Sequence, residues 1–153
     1  MENSILGKSL FIGEQLELTG LDPEKDSTEL AEWSRQPAFS SRLFRGPFKP
    51  QSTAEVKKKL TDLLKEAGES RQAIYFGIRK LNSPELIGLC WFGWIDASNQ
   101  ASMMNLLFGS DTDLRDQGHE AIKMVLHYAF MEMNLHRVAV MIRADEPQLL
   151  ALY

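Results

Sequence analysis

The most regular pattern of apolar and polar residues in this 153-residue chain lies between residues 114 and 142. Its apolar positions recur at intervals of three and four residues, and they are Ile122, Val125, Leu126, Ala129 and Met133. Polar side chains take the opposite side, and they are His119, Glu120, Lys123, His127 and Asn134. This spacing predicts a long amphipathic helix with one face in the core. Residues 137–142 are mostly apolar and predict a strand after that helix.

Shorter patterns divide the first half of the chain into one strand and two helices. Alternation over residues 15–18 predicts the strand. The pair Asp22-Pro23 is typical of a helix start and predicts a helix to about residue 35. The sequence Ser52-Thr53-Ala54-Glu55 resembles a capping box, so a second helix should begin there and stop at Gly68. Residues 36–52 have no period and are expected to pack over a pocket.

Three strands are predicted in the second half, over residues 73–79, 85–95 and 102–108. The turn composition of Asn82-Ser83-Pro84 joins the first two as a hairpin, and the third is apolar on both faces, as in the middle of a sheet. A short helix is expected at the end of the chain. This order predicts an α/β fold, a mixed and mostly antiparallel sheet with helices on both faces, in one domain over residues 1–153.

Composition and charge exclude several classes of protein. With 44% apolar and 25% charged residues, the chain has an ordinary globular composition. The net charge of −4 argues against a nucleic-acid surface. No segment reaches the ~18 to 20 apolar residues of a membrane span and no signal core is present, so we expect a cytoplasmic protein. The single cysteine, Cys90, lies in an apolar run and is expected to be buried and inert.

The segment that leads into the long helix carries the clearest candidate binding chemistry. It consists of Arg115, Asp116, Gln117, Gly118 and His119, with one flexible residue just before the expected helix start. Unpaired backbone N–H groups and the positive end of the helix dipole suit an anion such as a pyrophosphate. A plain helix-entry turn is the alternative interpretation of the same residues.

This stretch resembles motif A of the GNAT N-acetyltransferases, most closely the RimJ/RimL-type branch, which acylates protein N-termini and small amines. The resemblance is carried by G-H-E-A-I at residues 118–122 and by H-Y-A-F-M-E-M-N-L-H-R-V at residues 127–138. The family's usual R-G-K-G-Y-G-T-E-A has fewer glycines here. Aligned from Arg115, Gly118 matches the middle glycine of that run, and aligned backwards from Glu120 it matches the last. In either alignment an acid, Asp113 or Asp116, lies beside the expected pyrophosphate.

The resemblance implies a reaction and a set of binding residues. Acetyl-CoA would lie between the strands at residues 102–108 and 137–142, and an acceptor amine would attack its thioester directly. The pantetheine arm would pair with the backbone of Leu106, Leu107, Phe108 and Gly109. The pyrophosphate would meet Arg115, Asp116, Gln117, Gly118, His119 and Glu120. A backbone N–H of the first strand would stabilise the thioester oxyanion, and no metal is implied.

Such a reaction is helped by an acid for the leaving thiolate and a base for the ammonium. Tyr153 falls on the family tyrosine that serves as the acid, although a cap residue of an amphipathic helix is the alternative. The family often has a glutamate base just after the alanine that begins the coenzyme-binding strand, but here Ala101 is followed by Ser102. Asp96, an acid at a strand end, is therefore the candidate base. The three histidines lack the spacing of metal ligands.

Members of the family normally continue beyond the position of Tyr153 with two more strands, so the resemblance implies a C-terminally truncated domain. Residues 138–142 would then form a hydrophobic sheet edge, and we expect a homodimer through an exposed or swapped C-terminal strand. The implied function is acetyl-CoA-dependent acetylation of a primary amine on a protein N-terminus or a small molecule. Two alternatives stay open: a catalytically inactive binding or assembly module, and a fragment of an ordinary enzyme.

Overall fold

A computed structural model describes residues 9–36, residue 43 and residues 49–153, and five strands in these ranges form one sheet. Their order across the sheet follows the chain: β1 (Leu16–Thr19), β2 (Ile74–Lys80), β3 (Leu86–Asp96), β4 (Ala101–Phe108) and β5 (Arg137–Val140). Neighbouring strands are antiparallel except β4 and β5, which are parallel. The predicted order of strands and helices along the chain and the mixed α/β fold are confirmed. The predicted irregular segment over residues 36–52 falls mostly outside the described residues.

Helices α1 (Pro23–Trp33) and α2 (Thr53–Ser70) pack on one face of the sheet. Both begin as predicted, because Asp22 accepts a hydrogen bond from the Glu24 N–H and Ser52 forms a reciprocal capping box with Glu55. The predicted stop of α2 at Gly68 is wrong. The helix continues to Ser70 and ends at Arg71, whose φ of 56° is left-handed. One glycine costs a helix only about 1 kcal/mol, which the packed face of α2 outweighs.

Helix α3 (Asp111–Met131) covers the opposite face, and the short helix α4 (Pro147–Leu152) packs against it. The core therefore has two layers. Phe92 and Met104 of the sheet pack with Val125 of α3, while Leu89 and Trp91 belong to the cluster under α1 and α2. Each fully buried aliphatic or aromatic side chain contributes roughly 1.5 to 3 kcal/mol, so the two clusters hold helices to both faces, as predicted.

A buried ion pair fixes α1 to the sheet. Arg79 of β2 donates from Nη2 to both carboxylate oxygens of Asp26, at 2.8 and 2.9 Å. The same guanidinium donates from Nε to Thr19 Oγ1 at 2.9 Å and from Nη1 to the Pro84 carbonyl at 2.6 Å. One side chain thus joins α1, β1 and the turn between β2 and β3.

Cys90 lies in the middle of β3 as a free, buried thiol. The prediction of a buried cysteine is confirmed, and burial raises the pKa of this thiol far above its usual range, which disfavours the reactive thiolate. Within the ranges that the structure describes, no helix is both long and apolar enough to cross a membrane. The same ranges contain no cluster of three or more His, Cys, Asp or Glu side chains arranged to hold a metal ion.

Candidate functional site

The pairing of β4 with β5 covers only part of β4. It runs from Ala101, opposite Arg137, to Met104, opposite Val140, whereas β4 continues to Phe108. The predicted extension of β5 to residue 142 is wrong, because the strand ends at Val140. Beyond Met104, β4 therefore has no strand partner on its β5 side within the described sheet.

A cleft of about 160 Å³ lies beside this second half of β4. Its walls come from β4, the start of α3, the segment around the start of α4 and the end of α1, and the lining residues are Gln36, Leu106, Leu107, Phe108, Ser110, Asp111, Leu114, Asp145, Glu146, Gln148 and Leu149. Pockets for whole drug-sized ligands usually measure about 300 to 1,000 Å³. The cleft therefore suits a narrow chain, such as a pantetheine arm, better than a complete nucleotide.

Gly109, the residue after β4, already uses both of its backbone hydrogen-bonding groups within the protein. Its N–H donates to the Ile87 carbonyl at 3.0 Å, and its carbonyl accepts from Gln36 Nε2 at 2.8 Å. A Cβ at this position would clash with the Trp33 indole, so a glycine is needed where the end of α1 approaches the sheet. Gly109 can offer its N–H to pantetheine only by giving up a hydrogen bond to β3. Leu107 lies opposite Leu89, two residues before the pair of Gly109 and Ile87, so its backbone groups also face β3. Of the four predicted pantetheine partners, Leu106 and Phe108 have backbone groups that face away from β3, and their role stays a prediction.

The start of α3 differs from the prediction. The helix begins at Asp111, with Ser110 as its N-cap, and Ser110 Oγ accepts from the Asp113 N–H at 3.1 Å. The predicted loop before the helix is therefore wrong. Arg115, Asp116, Gln117, Gly118, His119 and Glu120 all lie inside α3. Beyond the first turn the backbone N–H groups of a helix are bonded internally, so those of Gly118 and its neighbours do not form the expected anion site.

Two of these residues have structural roles. Gly118 is buried, and a Cβ there would lie 2.7 Å from Leu152 Cδ2, so the glycine lets α4 approach α3. Glu120 Oε1 accepts from the N–H groups of Gln15 and Leu16 at 2.9 and 3.2 Å, which ties α3 to the start of β1. Neither role was apparent from the sequence, because the partners are far away along the chain.

The first turns of α3 are acidic. Asp111 and Asp113 lie in the first turn, and Asp113 also pairs with Lys80 at 3.3 Å. Asp116 follows, with Arg115 Nε 3.8 Å from its carboxylate. Carboxylates already balance the positive end of the helix dipole here, so this end of the site does not complement a pyrophosphate. The exposed Arg115 is a cation that could still meet one. The cleft beside β4 fits a neutral pantetheine arm, whereas the acidic turn does not fit the charged part of coenzyme A.

The structure does not bring the two candidate catalytic residues to the cleft. Asp96 is exposed at the end of β3, where it accepts from the N–H and the side-chain amide of Asn99 at 3.0 and 2.7 Å. These hydrogen bonds lower its pKa, which disfavours it as a base. Asp96 pairs with Ala101, five residues from Leu106, or about 16 Å along β4. Tyr153 follows α4, is 46% exposed and does not line the cleft. Both catalytic roles stay predictions.

Several residues of the site were not anticipated. Gln36, Asp111 and Asp145 reach the cleft from three separate segments, and no spacing in the sequence connects them.

Comparison with known proteins places this geometry in a family. Residues 15–152 match the family model described as an acetyltransferase (GNAT) domain, whereas no curated protein matches the chain. Among solved structures, the chain resembles a Vibrio cholerae spermidine N-acetyltransferase in complex with CoA and spermine, with 19% identity over 92% of this chain and 79% of that one and a TM-score of 0.73.

A putative ribosomal-protein-serine acetyltransferase from Vibrio cholerae is similar, with 17% identity, coverage of 93% and 78% and a TM-score of 0.73. The dodecameric Vibrio cholerae spermidine N-acetyltransferase in an intermediate state gives 17% identity, coverage of 92% and 77% and a TM-score of 0.68. At such identities a structural likeness establishes the fold alone. Because the family model spans nearly all of the sequence, the chain belongs to the GNAT acetyltransferase family, whose members use acetyl-CoA.

Proposed function

We propose that this chain is a single-domain, cytoplasmic N-acetyltransferase of the RimJ/RimL type that transfers an acetyl group from acetyl-CoA to a primary amine. The main support for this proposal is the separation of β4 from β5 after Met104, together with the cleft beside Leu106, Leu107 and Phe108. Similar structures act on spermidine or are described for a ribosomal protein, which supports a small-molecule amine or a protein N-terminus as the acceptor.

The residues of the chain would contribute mainly by binding and orientation. Acetyl-CoA supplies an activated thioester. The backbone of β4 beyond Met104 would hold the pantetheine arm as a further strand, and one of its N–H groups would stabilise the oxyanion. The ammonium first loses a proton to water or a base, and the neutral nitrogen then bonds to the carbonyl carbon. The carbon–sulfur bond breaks, and the nitrogen gives up a second proton to solvent. Tyr153 would return a proton to the thiolate.

A cleft-filling substitution tests this assignment. Gln148 is exposed and lines the cleft, so Gln148→Trp should weaken acetyl-CoA binding at least tenfold in a calorimetric titration, because the indole occupies the space for pantetheine. Gln72→Trp is the matched control, an exposed glutamine outside the cleft, and it should bind like the unmodified chain. Equal affinity in both variants would show that the cleft is not the donor site.

The second candidate function is a binding or assembly module that no longer catalyses. The acidic first turns of α3 favour it, because Asp111, Asp113 and Asp116 oppose the pyrophosphate that a GNAT enzyme has to hold. The two functions differ in one measurement. A folded chain that shows no heat with acetyl-CoA at millimolar concentration supports the module, and saturable binding supports the enzyme.

Self-association belongs to the same proposal. We propose a homodimer through the C-terminal strand β5, which is an edge of the described sheet. Val140 at the end of this strand and Met141 just beyond it are exposed. A related fold is known in a dodecameric assembly.

A further inference from the structure

Asn105 lies where β4 leaves β5. It directly follows Met104, the last residue of β4 that pairs with β5. The side chains of Met104, Leu106 and Phe108 belong to the core cluster under α3, and Leu107 belongs to the cluster under α1 and α2. Because side chains alternate along a strand, Asn105 projects from the α1 and α2 face. The cleft that would receive pantetheine and the Asn105 amide are thus neighbours on the same stretch of strand.

A row of three side chains crosses the sheet at this level. Tyr75 of β2 pairs with Trp91 of β3, which pairs with Asn105 of β4. The rings of Tyr75 and Trp91 stack, with centroids 6.0 Å apart and planes at 18°. Burial raises the pKa of Tyr75, so its hydroxyl stays neutral at physiological pH. Asn105 therefore ends a rigid aromatic row at the point where the strands part.

The amide of Asn105 makes no hydrogen bond within the described part of the chain. The residue is partly buried. Ser102, the other polar residue inside β4, is buried, but its hydroxyl donates to the Gly93 carbonyl at 2.8 Å. The amide is not among the fully buried side-chain groups that lack a partner, so it is accessible to a partner that arrives from outside.

We propose that Asn105 receives the acceptor amine, with Oδ1 accepting a hydrogen bond from one N–H of the attacking nitrogen. The inference rests on the proposed acetyltransferase function and assigns the acceptor side of that site. A neutral primary amine has two N–H groups, so one can bond to Asn105 while the lone pair points at the thioester carbon beside Leu106. Asn105 takes up no proton, since an amide oxygen is not a base at this pH. Its contribution is orientation of the nucleophile.

Two substitutions of similar size separate this role from packing. Asn105→Leu keeps the volume and removes the acceptor oxygen, and it should lower kcat/KM for spermidine and for a tripeptide with a free amino terminus by ten- to a hundredfold. Asn105→Asp keeps an acceptor oxygen and adds a charge that attracts an ammonium. It should retain kcat/KM within a fewfold, with a new acidic limb in the pH profile. The affinity for acetyl-CoA, measured by calorimetry, should stay within twofold in both variants.

Ser102→Ala is the control within the same strand. It removes a hydrogen bond to Gly93 and should lower thermal stability without changing the KM for the amine. If the unmodified chain turns over but Asn105→Leu has an unchanged kcat/KM, the role of Asn105 is refuted and the acetyltransferase function stands. An equal loss in Asn105→Leu and Asn105→Asp would also refute it, since it would indicate packing. If the unmodified chain binds no acetyl-CoA or acetylates neither substrate, the proposed function itself fails.

Discussion

At the scale of the residue, charge limits what the start of α3 can bind. Asp116 is exposed, and its carboxylate lies 3.8 Å from Arg115 Nε. A like charge ~4 Å from a pyrophosphate is repelled by ~1 kcal/mol even in water. Asp116→Asn should therefore tighten coenzyme A binding by roughly fivefold at low salt, both by removing this repulsion and by releasing Arg115. The gain should shrink as salt is added.

A titration of coenzyme A into both proteins measures this effect. Asp62→Asn, on the exposed side of α2, makes the same change in net charge far from the cleft and should leave the affinity unchanged. Unchanged or weaker binding in Asp116→Asn would mean that the pyrophosphate does not lie near this carboxylate.

Tyr153 is the candidate acid, and the chain offers a direct substitution to test it. If its phenol protonates the thiolate, Tyr153→Phe should lower kcat by the ~10² to 10⁴-fold that is typical of a lost acid, with little change in coenzyme affinity. The measurement is steady-state release of free thiol, beside calorimetry with acetyl-CoA. Because the side chain is half exposed and does not line the cleft, an unchanged kcat would assign the proton transfer to water.

Single residues were predictable from the sequence when their partners are local. Asp22 and Ser52 cap their helices through contacts within three residues, and the sequence shows both partners. Gly118 is the contrary case, because the contact that requires it is with Leu152 of another helix. Glu120 likewise accepts from Gln15 and Leu16 at the other end of the chain. No local sequence pattern predicts such contacts between residues that are far apart along the chain.

At the scale of the element, the ion pair between Arg79 and Asp26 holds α1 against the sheet. Only 11% of the Arg79 side chain and 2% of that of Asp26 are exposed. Removing one partner of a buried pair typically costs about 3 to 5 kcal/mol, since the other charge is left without compensation. Asp26→Asn should therefore lower the free energy of unfolding by about this amount in urea denaturation.

The pair between Lys57 and Glu24 provides a matched comparison. It joins α2 to α1 at 2.6 Å, but both side chains are largely in solvent, with exposures of 45% and 73%. Glu24→Gln should cost about 0 to 1 kcal/mol, as exposed pairs do. If the two variants lose the same free energy, α1 is not held by the buried pair.

Elements were predictable where one face is clearly apolar. The order of strands and helices follows from such periods, and this order is confirmed. The start of α3 was missed because residues 111–117 contain only one apolar residue, Leu114, and so show no amphipathic period. The end of β5 was missed for another reason. Residues 141 and 142 remain apolar, but the strand has no partner on one side in the described sheet, so its length depends on β4 alone.

At the scale of the whole molecule, the fold class follows from the order of elements, but the assembly of the site does not. The cleft combines β4 with the ends of α1 and α3 and with the start of α4. These segments come together only when the helices have packed on both faces of the sheet. The resemblance to the GNAT family predicted the correct family and the pair of strands that separate. The acidic lining of the cleft by Asp111, Asp145 and Glu146 is evident only from the three-dimensional structure.

The two edges of the sheet lead to a prediction about self-association. β5 forms one edge of the described sheet, and residues 138–142 contain no charge, proline or glycine to discourage pairing with another chain. Met141 is 74% exposed and Val140 37%. Each backbone hydrogen bond gained at this edge is worth ~0.5 to 1.5 kcal/mol, and apolar burial adds ~25 cal/mol per Å². Two chains that pair through β5 in a two-fold arrangement could therefore offset the ~4 to 15 kcal/mol cost of association.

Sedimentation of the purified chain at micromolar concentration tests this prediction. We expect a dimer, and we expect Val140→Lys to dissociate it, because a lysine on each copy places two like charges at the new strand pair. Ile12→Lys is the control at the opposite edge of the sheet. Ile12 is 53% exposed and forms an isolated β-bridge with Glu17 of β1. That variant should remain dimeric. A homogeneous monomer for the unmodified chain would contradict the prediction, and dissociation by Ile12→Lys alone would move the interface to the β1 edge.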